Sequence, residues 1–183
     1  QIKSEKFFAH VRASTGTSTS RANCHPFSVE NWMFMHNGQI SEFEKIRRDL
    51  ESLINDDYYT FREGTTDSEV LFLVLFSLGL KDDPIEAVSK LCKVVNGLME
   101  DKRIKGAFRF TATLSDGECI YAFRYSSDSR APSLYYRSTF KDTGVVIASE
   151  PLDIAEKSWT EVEPTHCIKI CTENKVHSFP MNV

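Results

Sequence analysis

From Phe108 to Leu114 every second residue is apolar (Phe108, Phe110, Ala112, Leu114), and an Asp116-Gly117 pair then leads into a second strand-like run, Cys119 to Tyr125. A period of two on both sides of a D-G turn specifies an antiparallel hairpin with one buried face. Similar runs follow at Leu134 to Phe140, Val145 to Ser149, His166 to Cys171 and Lys175 to Phe179, and earlier ones stand at Phe7 to Arg12 and Trp32 to His36. Ser14 to Asn23, rich in Ser, Thr and Gly, reads as loop.

Helical spacing is confined to the middle of the chain. Ser41 and Glu44 form a capping-box pattern before a helix from about Glu42 to Ile54, with Phe43, Ile46, Leu50, Leu53 and Ile54 on its inner face. Thr66 and Glu69 repeat the pattern before Val70 to Leu78, which Gly79 ends. Asp83-Pro84 reads as the N-cap and first-turn proline of a third helix, with Ile85, Val88, Leu91, Cys92, Val95 and Leu98 turned inward. Strands, then helices, then strands predict an α+β fold with antiparallel sheet in one domain over residues 1–183. Neither a G-x-G-x-x-G nor a P-loop sequence occurs, so no nucleotide site is predicted.

A net charge of −4 lacks the basic footprint of a nucleic-acid binder, so nucleic acid is excluded as a partner. The longest apolar run, Val70 to Phe76, falls far short of the roughly 20 residues that span a bilayer, so no membrane partner is expected and the chain reads as cytoplasmic. Five cysteines with no C-x-x-C spacing suggest neither a disulfide framework nor a zinc ribbon; Cys167 and Cys171 would share one strand face as buried residues. No cofactor and no metal is called for.

Four polar clusters stand at element ends: His10-Val-Arg-Ala-Ser-Thr-Gly16, Asn23-Cys-His-Pro-Phe27, His36-Asn-Gly38 and Gly64-Thr-Thr-Asp-Ser-Glu69. Singly, each has an ordinary explanation. Arg12 fits a surface ion pair, His25 a satisfied loop histidine, Asn37-Gly38 a hairpin turn and Asp67 a charge complementing a helix dipole. Together, in this order and spacing, they resemble the class II glutamine amidotransferase domains of the N-terminal-nucleophile hydrolase superfamily. The later Val145-Val-Ile-Ala-Ser-Glu-Pro-Leu-Asp153, Trp159 and Val162-Glu-Pro164 resemble that family's small single-domain branch, which includes the amidohydrolase of ergothioneine synthesis and an amidotransferase-like partner in fungal glutathione degradation.

The resemblance implies a four-layer αββα sandwich of antiparallel sheets, incomplete at its N-terminus, because the family's nucleophilic cysteine and its strands lie upstream of the arginine motif. It implies that Arg12 and Thr15 bind the α-carboxylate of a small-molecule substrate, glutamine or a γ-glutamyl compound, and that Asp67 pairs with its α-ammonium. Asn37 and Gly38 correspond to the oxyanion hole, while His10, His25 and His36 orient the loops around it. Gly16 stands where several larger members carry His. Cys24 lies beside His25, but sequence neighbours rarely face each other as nucleophile and base, and the N-C-H-P-F motif has no catalytic duty in the family. The acceptor reaction would belong to a separate synthase or peptidase subunit. The alternative reading is a non-catalytic module that binds glutamate-like ligands or a partner protein.

Overall fold

The computed structural model describes residues 4–11, 20–139, 144–153 and 158–183. Its main sheet is antiparallel and six-stranded, built from β1 (Phe27–Val29), β2 (Trp32–Ile40), β3 (Phe108–Ser115), β4 (Ile120–Ser126), β8 (His166–Ile170) and β9 (Val176–Pro180), in the order β1-β2-β3-β4-β8-β9. A smaller antiparallel sheet has β5 (Tyr135–Ser138) between β6 (Val145–Ala148) and β7 (Thr160–Glu161). The helices are α1 (Arg47–Glu51), α2 (Asp56–Tyr59), α3 (Asp67–Ser77) and α4 (Pro84–Asp101).

The alternation along β3 and β4 sorts their side chains between two cores. Phe108, Phe110, Ala112, Leu114, Tyr121, Phe123 and Tyr125 join the residues of α3 and α4 in the larger core. Ala122, Ile168 and Ile170 point the other way and pack with Leu134, Val162, Tyr136 and Ile147 around the small sheet. Among the described residues the layers are therefore helix, sheet and sheet, three of the four that the resemblance implies. The D-G turn forms as expected: Ser115 pairs with Ile120, and Asp116 Oδ1 accepts the N–H groups of Glu118 and Cys119 at 2.8 and 2.6 Å.

Local signals hold for two helices and fail for one. Thr66 caps α3 by accepting Glu69 N–H at 3.2 Å, and Leu80 N–H closes its far end on Leu75 O at 3.0 Å. Asp83 caps α4 by accepting the N–H groups of Ile85 and Glu86. The continuous helix expected over 42–54 is instead a 3-10 turn, Phe43–Lys45, followed by the five-residue α1. Ser41 does not cap it, because its Oγ donates to Ala107 O at 2.9 Å and accepts Ala107 N–H at 3.0 Å. Glu42 then turns the chain with a left-handed φ of 51°. The apolar stripe survives this break, since Ile46, Leu50 and Ile54 are all buried.

Two further expectations are corrected. The described part of the strand expected at 7–12 forms no ladder; Phe7 is 71% and Val11 98% exposed, so their alternation has no sheet face to bury against. Cys119 and Cys171 form a disulfide, although cysteine spacing suggested no disulfide framework. The two are 52 residues apart in sequence, but they follow directly on the Ile120–Ile170 pair of the β4–β8 ladder, which brings their Cα atoms to 4.2 Å. Cross-linking a loop of that length should stabilise the fold by about 2–4 kcal/mol. Urea denaturation of the oxidised protein and of its Cys119→Ser variant is expected to differ by that amount; coincident midpoints would count against the bond.

Candidate functional site

Asn37-Gly38 is not a turn. The β2–β3 ladder runs straight through it, pairing Asn37 with Thr111 and Gly38 with Phe110, so the long-range partner overrides the local N-G preference. Trp32, Phe34, His36 and Ile40 are buried on the helix side of β2, whereas Asn37, Gly38 and Gln39 are exposed. Glycine is required at 38 by close approach: a Cβ there would lie 2.0 Å from Arg109 O and 2.6 Å from His36 Nε2.

The direction of the Gly38 N–H follows from its neighbour two residues on. Ile40 N–H donates to Asp67 Oδ2 at 3.0 Å, away from β3, and backbone groups of alternate strand residues point to the same edge. Gly38 N–H is therefore directed to that edge too. Phe108 points the opposite way, since its N–H and C=O both bond Ser127 on the β4 side; Phe110, two residues on, follows it, which leaves the Gly38–Phe110 pair without mutual bonds. Among the described residues β1 covers only Trp32 to Phe34 of this edge. The Gly38 N–H thus opens on an uncovered strand edge beside the exposed Asn37 side chain, with the Asp67 carboxylate about two strand residues, roughly 7 Å, further along.

Asp67 opens α3, where a carboxylate complements the helix dipole, and its Oδ1 also accepts Ser68 N–H at 2.8 Å. Beneath it lies His36, buried against Phe34 and Phe110. Its Nε2 is 3.2 Å from Arg109 O, which can only accept, so Nε2 carries the proton and Nδ1 accepts the Ser68 hydroxyl at 2.9 Å. Burial pushes the His36 pKa below its ordinary value, against smaller opposing effects of the Asp67 charge and the Arg109 carbonyl. The ring is neutral at physiological pH.

Two residues outside the predicted site, Asn23 and Glu69, fasten the loop before Asp67, and a third, Ser68, supports His36. Buried Asn23 accepts Thr65 N–H at 2.8 Å and donates to Thr65 Oγ1 at 3.3 Å. The buried carboxylate of Glu69 accepts Glu63 and Gly64 N–H, both at 2.8 Å, rather than completing the capping box on Thr66. Ser68 holds His36. At Gly64 a Cβ would lie 2.6 Å from Ala22 O and from Asn23 Oδ1, so the two loops touch through backbone. All three residues sit inside the polar clusters at 23–27 and 64–69, and that membership is the signal the sequence carries for them.

The His10 and His25 rings lie tilted against each other with centroids 4.3 Å apart, and His25 meets Phe27 edge-on at 4.8 Å, which places them beside β1. Arg12, Thr15 and Gly16 lie outside the described residues. Cys92 and Cys167 are buried, and burial pushes the Cys167 thiol up to about 12 and that of Cys92 up as well. Exposed Cys24 has its Sγ 3.5 Å from Ser20 O. Among the described residues no group of His, Cys, Asp and Glu could hold a metal ion, and no helix is long and apolar enough to cross a membrane.

Comparison with known proteins gives a consistent picture. Residues 1–137 match the family described as glutamine amidotransferases class-II. The probable glutamine amidotransferase DUG3 of Saccharomyces cerevisiae is 30% identical over 205 residues, which cover 92% of this chain and 57% of that protein. The putative glutamine amidotransferase YafJ of Escherichia coli is 26% identical over 199 residues, covering 96% of this chain and 73% of its own. This chain therefore spans little more than half the length of the yeast relative. A glutamine aminotransferase class-II domain protein from Silicibacter pomeroyi superposes with a TM-score of 0.82 at 41% identity, over 88% of this chain and 72% of its own. The glutamine PRPP amidotransferase of B. subtilis, 21% identical with a TM-score of 0.63, covers 93% of this chain and 34% of its own and shares the fold.

Two measurements probe this geometry. Gly38→Ala should cost about 1–3 kcal/mol in chemical denaturation, because the added methyl forces β2 off the Arg109 carbonyl; unchanged stability would contradict the close approach. Because the His36 pKa in the folded state lies below the ordinary 6.5, the unfolded chain binds the extra proton first, and stability should fall as pH drops below about 6.5. His36→Gln is expected to flatten that part of the stability–pH curve, and a curve of the same slope in both proteins would remove His36 as its cause.

Proposed function

This chain belongs to the class II glutamine amidotransferases, and from that membership we propose that the protein hydrolyses the γ-amide of glutamine or of a γ-glutamyl compound through a cysteine thioester. The observation that carries the reading is the line of groups along the open edge of β2. Two donors at Asn37 and Gly38 are followed, roughly 7 Å on, by the Asp67 carboxylate. That separation is of the order of the reach from the side-chain amide carbon of glutamine to its α-ammonium.

In this reading Asp67 pairs with the α-ammonium, and Arg12 with Thr15 takes the α-carboxylate, a task suited to a planar guanidinium fork. A thiolate attacks the amide carbon, and the resulting oxyanion receives hydrogen bonds from Asn37 Nδ2 and Gly38 N–H. The C–N bond breaks as the leaving amine takes up the proton released from the thiol. Water then cleaves the thioester to release the γ-carboxylate and restore the thiol. The base is the α-amine of the nucleophilic cysteine. That cysteine is none of the five at 24, 92, 119, 167 and 171: Cys92 and Cys167 are buried, Cys119 and Cys171 are paired, and Cys24 has its Sγ on Ser20 O within its own 3-10 turn. His10, His25 and His36 orient loops and take no proton. The reading holds residues 1–183 as one amidotransferase domain, in the cytoplasm. Any acceptor for the released amine belongs to a separate synthase or peptidase subunit.

The native full-length protein, treated with a diazoketone analogue of glutamine, is expected to gain one covalent adduct on a cysteine. Asn37→Ala should lower kcat about 10²- to 10³-fold with little change in KM. Asp67→Asn, which can still accept Ile40 N–H, should instead raise KM more than about tenfold. Glutamate binding in calorimetry without adduct or turnover would replace this reading by a non-catalytic ligand-binding module.

A further inference from the structure

We infer that Thr111 is a positioning residue for the Asn37 carboxamide, and that Arg124 anchors it through the shared carbonyl of Pro132; the inference rests on the proposed oxyanion role of Asn37. Directly opposed residues of antiparallel strands carry their side chains on the same face, so Asn37, Thr111 and Arg124 form one row across β2, β3 and β4. This row lies on the face away from the helices. Among the described residues β2 has no strand beyond Asn37 on its open edge, so Thr111 is its lateral neighbour in the sheet.

Thr111 is only 4% exposed and its orientation is fixed from outside the strand. Its Oγ1 donates to Pro132 O at 3.0 Å, and the same carbonyl accepts Arg124 Nε at 3.0 Å, using both of its lone pairs. Arg124, itself buried, is held at its other end by Val162 O at 2.5 Å and Glu161 Oε1 at 2.7 Å, both in the small-sheet region. The segment leading to Pro132 is tied down independently: Ser127 exchanges hydrogen bonds with Phe108, and Asp128 pairs with Arg109 at 2.7 Å. The Arg109 guanidinium and a Ser126 hydroxyl hold the Asp128 carboxyl well below the usual carboxylate range, so the strap stays fastened across the neutral pH range. An exposed carboxamide on an open edge would otherwise sample several rotamers. A fixed neighbour on the adjoining strand narrows them, which is what a preorganised oxyanion donor needs.

The test uses Thr111→Val, which keeps the shape and β-branching but removes the hydroxyl, and Thr111→Ser, which keeps the hydroxyl. In the native full-length protein Thr111→Val is expected to lower kcat about tenfold at nearly constant KM, with Thr111→Ser close to wild type. In an Asn37→Ala background the same change should have no further effect, because its route runs through Asn37. In ¹H–¹⁵N spectra the Asn37 side-chain amide pair, identified by its loss in Asn37→Ala, should broaden or shift in Thr111→Val alone. An unchanged amide pair in Thr111→Val, or an equal loss of kcat with and without Asn37, would overturn the inference. The spectral arm stands even if the wild-type protein turns over no γ-glutamyl amide, an outcome that defeats the proposed function by itself.

Discussion

The Asp67 carboxylate accepts Ile40 N–H at 3.0 Å while the Ser68 hydroxyl donates to His36 Nδ1 at 2.9 Å, so the first turn of α3 is bonded to both the edge and the buried face of β2. These bonds settle something that packing leaves open. Every residue of α3 from Ser68 to Phe76 is buried, so the helix has no polar face to mark which side turns outward. Its rotation about its own axis is instead fixed at its N-terminus, where polar groups taken out of water must find partners or cost about 1–3 kcal/mol each. The aromatic stack of Phe34, Phe72 and Phe110 then fills the space beneath. Once α3 is set, Asp67 stands at a fixed height beside the Gly38 edge.

The two faces of the main sheet divide the labour. On β2 and β3 the helix face is apolar apart from His36, whose two ring nitrogens are both satisfied, and it supplies the rigidity. The opposite face carries Asn37, Gln39, Arg109, Thr111 and Arg124, and the small sheet is docked against it through Arg124 rather than through apolar contact alone. A buried guanidinium adds little net stability over an apolar substitute, but it has only a few acceptable geometries. The strap from Ser127 to Pro132 is thereby held to one position on the face that carries the Asn37 side chain.

What could be read from the sequence tracks how local each determinant is. The β3–β4 hairpin and the caps of α3 and α4 depend on residues within four positions of one another, and the D-G pair, Thr66 and Asp83 act as their residue types predict. Ser41-x-x-Glu44 carries the same pattern as Thr66-x-x-Glu69 but loses its hydroxyl to Ala107, 66 residues away, and the helix behind it breaks up. Asn37-Gly38 carries the strongest short-range turn signal, yet pairing with Thr111 and Phe110 keeps it extended. Asn23 holds Thr65 over 42 residues, and Cys119 meets Cys171 only through a strand register that no spacing rule contains. The four polar motifs were visible as a set, but their division into groups facing the edge and groups supporting it required the ladder.

The sulfur chemistry of the chain constrains from which side a thioester mechanism can operate. A nucleophilic thiol has to ionise near neutral pH and come within about 3–3.5 Å of the carbon it attacks. Cys167 and Cys92 meet neither condition, since each is buried on the helix side and burial keeps each protonated. Cys119 and Cys171 lie past the Ser115–Ile120 pair, five residues along β3 from Phe110, the partner of Gly38, and they are joined to each other. Oxyanion donors must reach the carbonyl oxygen of the amide under attack, and Gly38 N–H faces the edge of β2 away from β3. Under the proposed function the scissile amide therefore lies at that edge, and the sulfur has to reach its carbon there. Among the described residues neither β3 nor the helix layer covers that edge at Gly38.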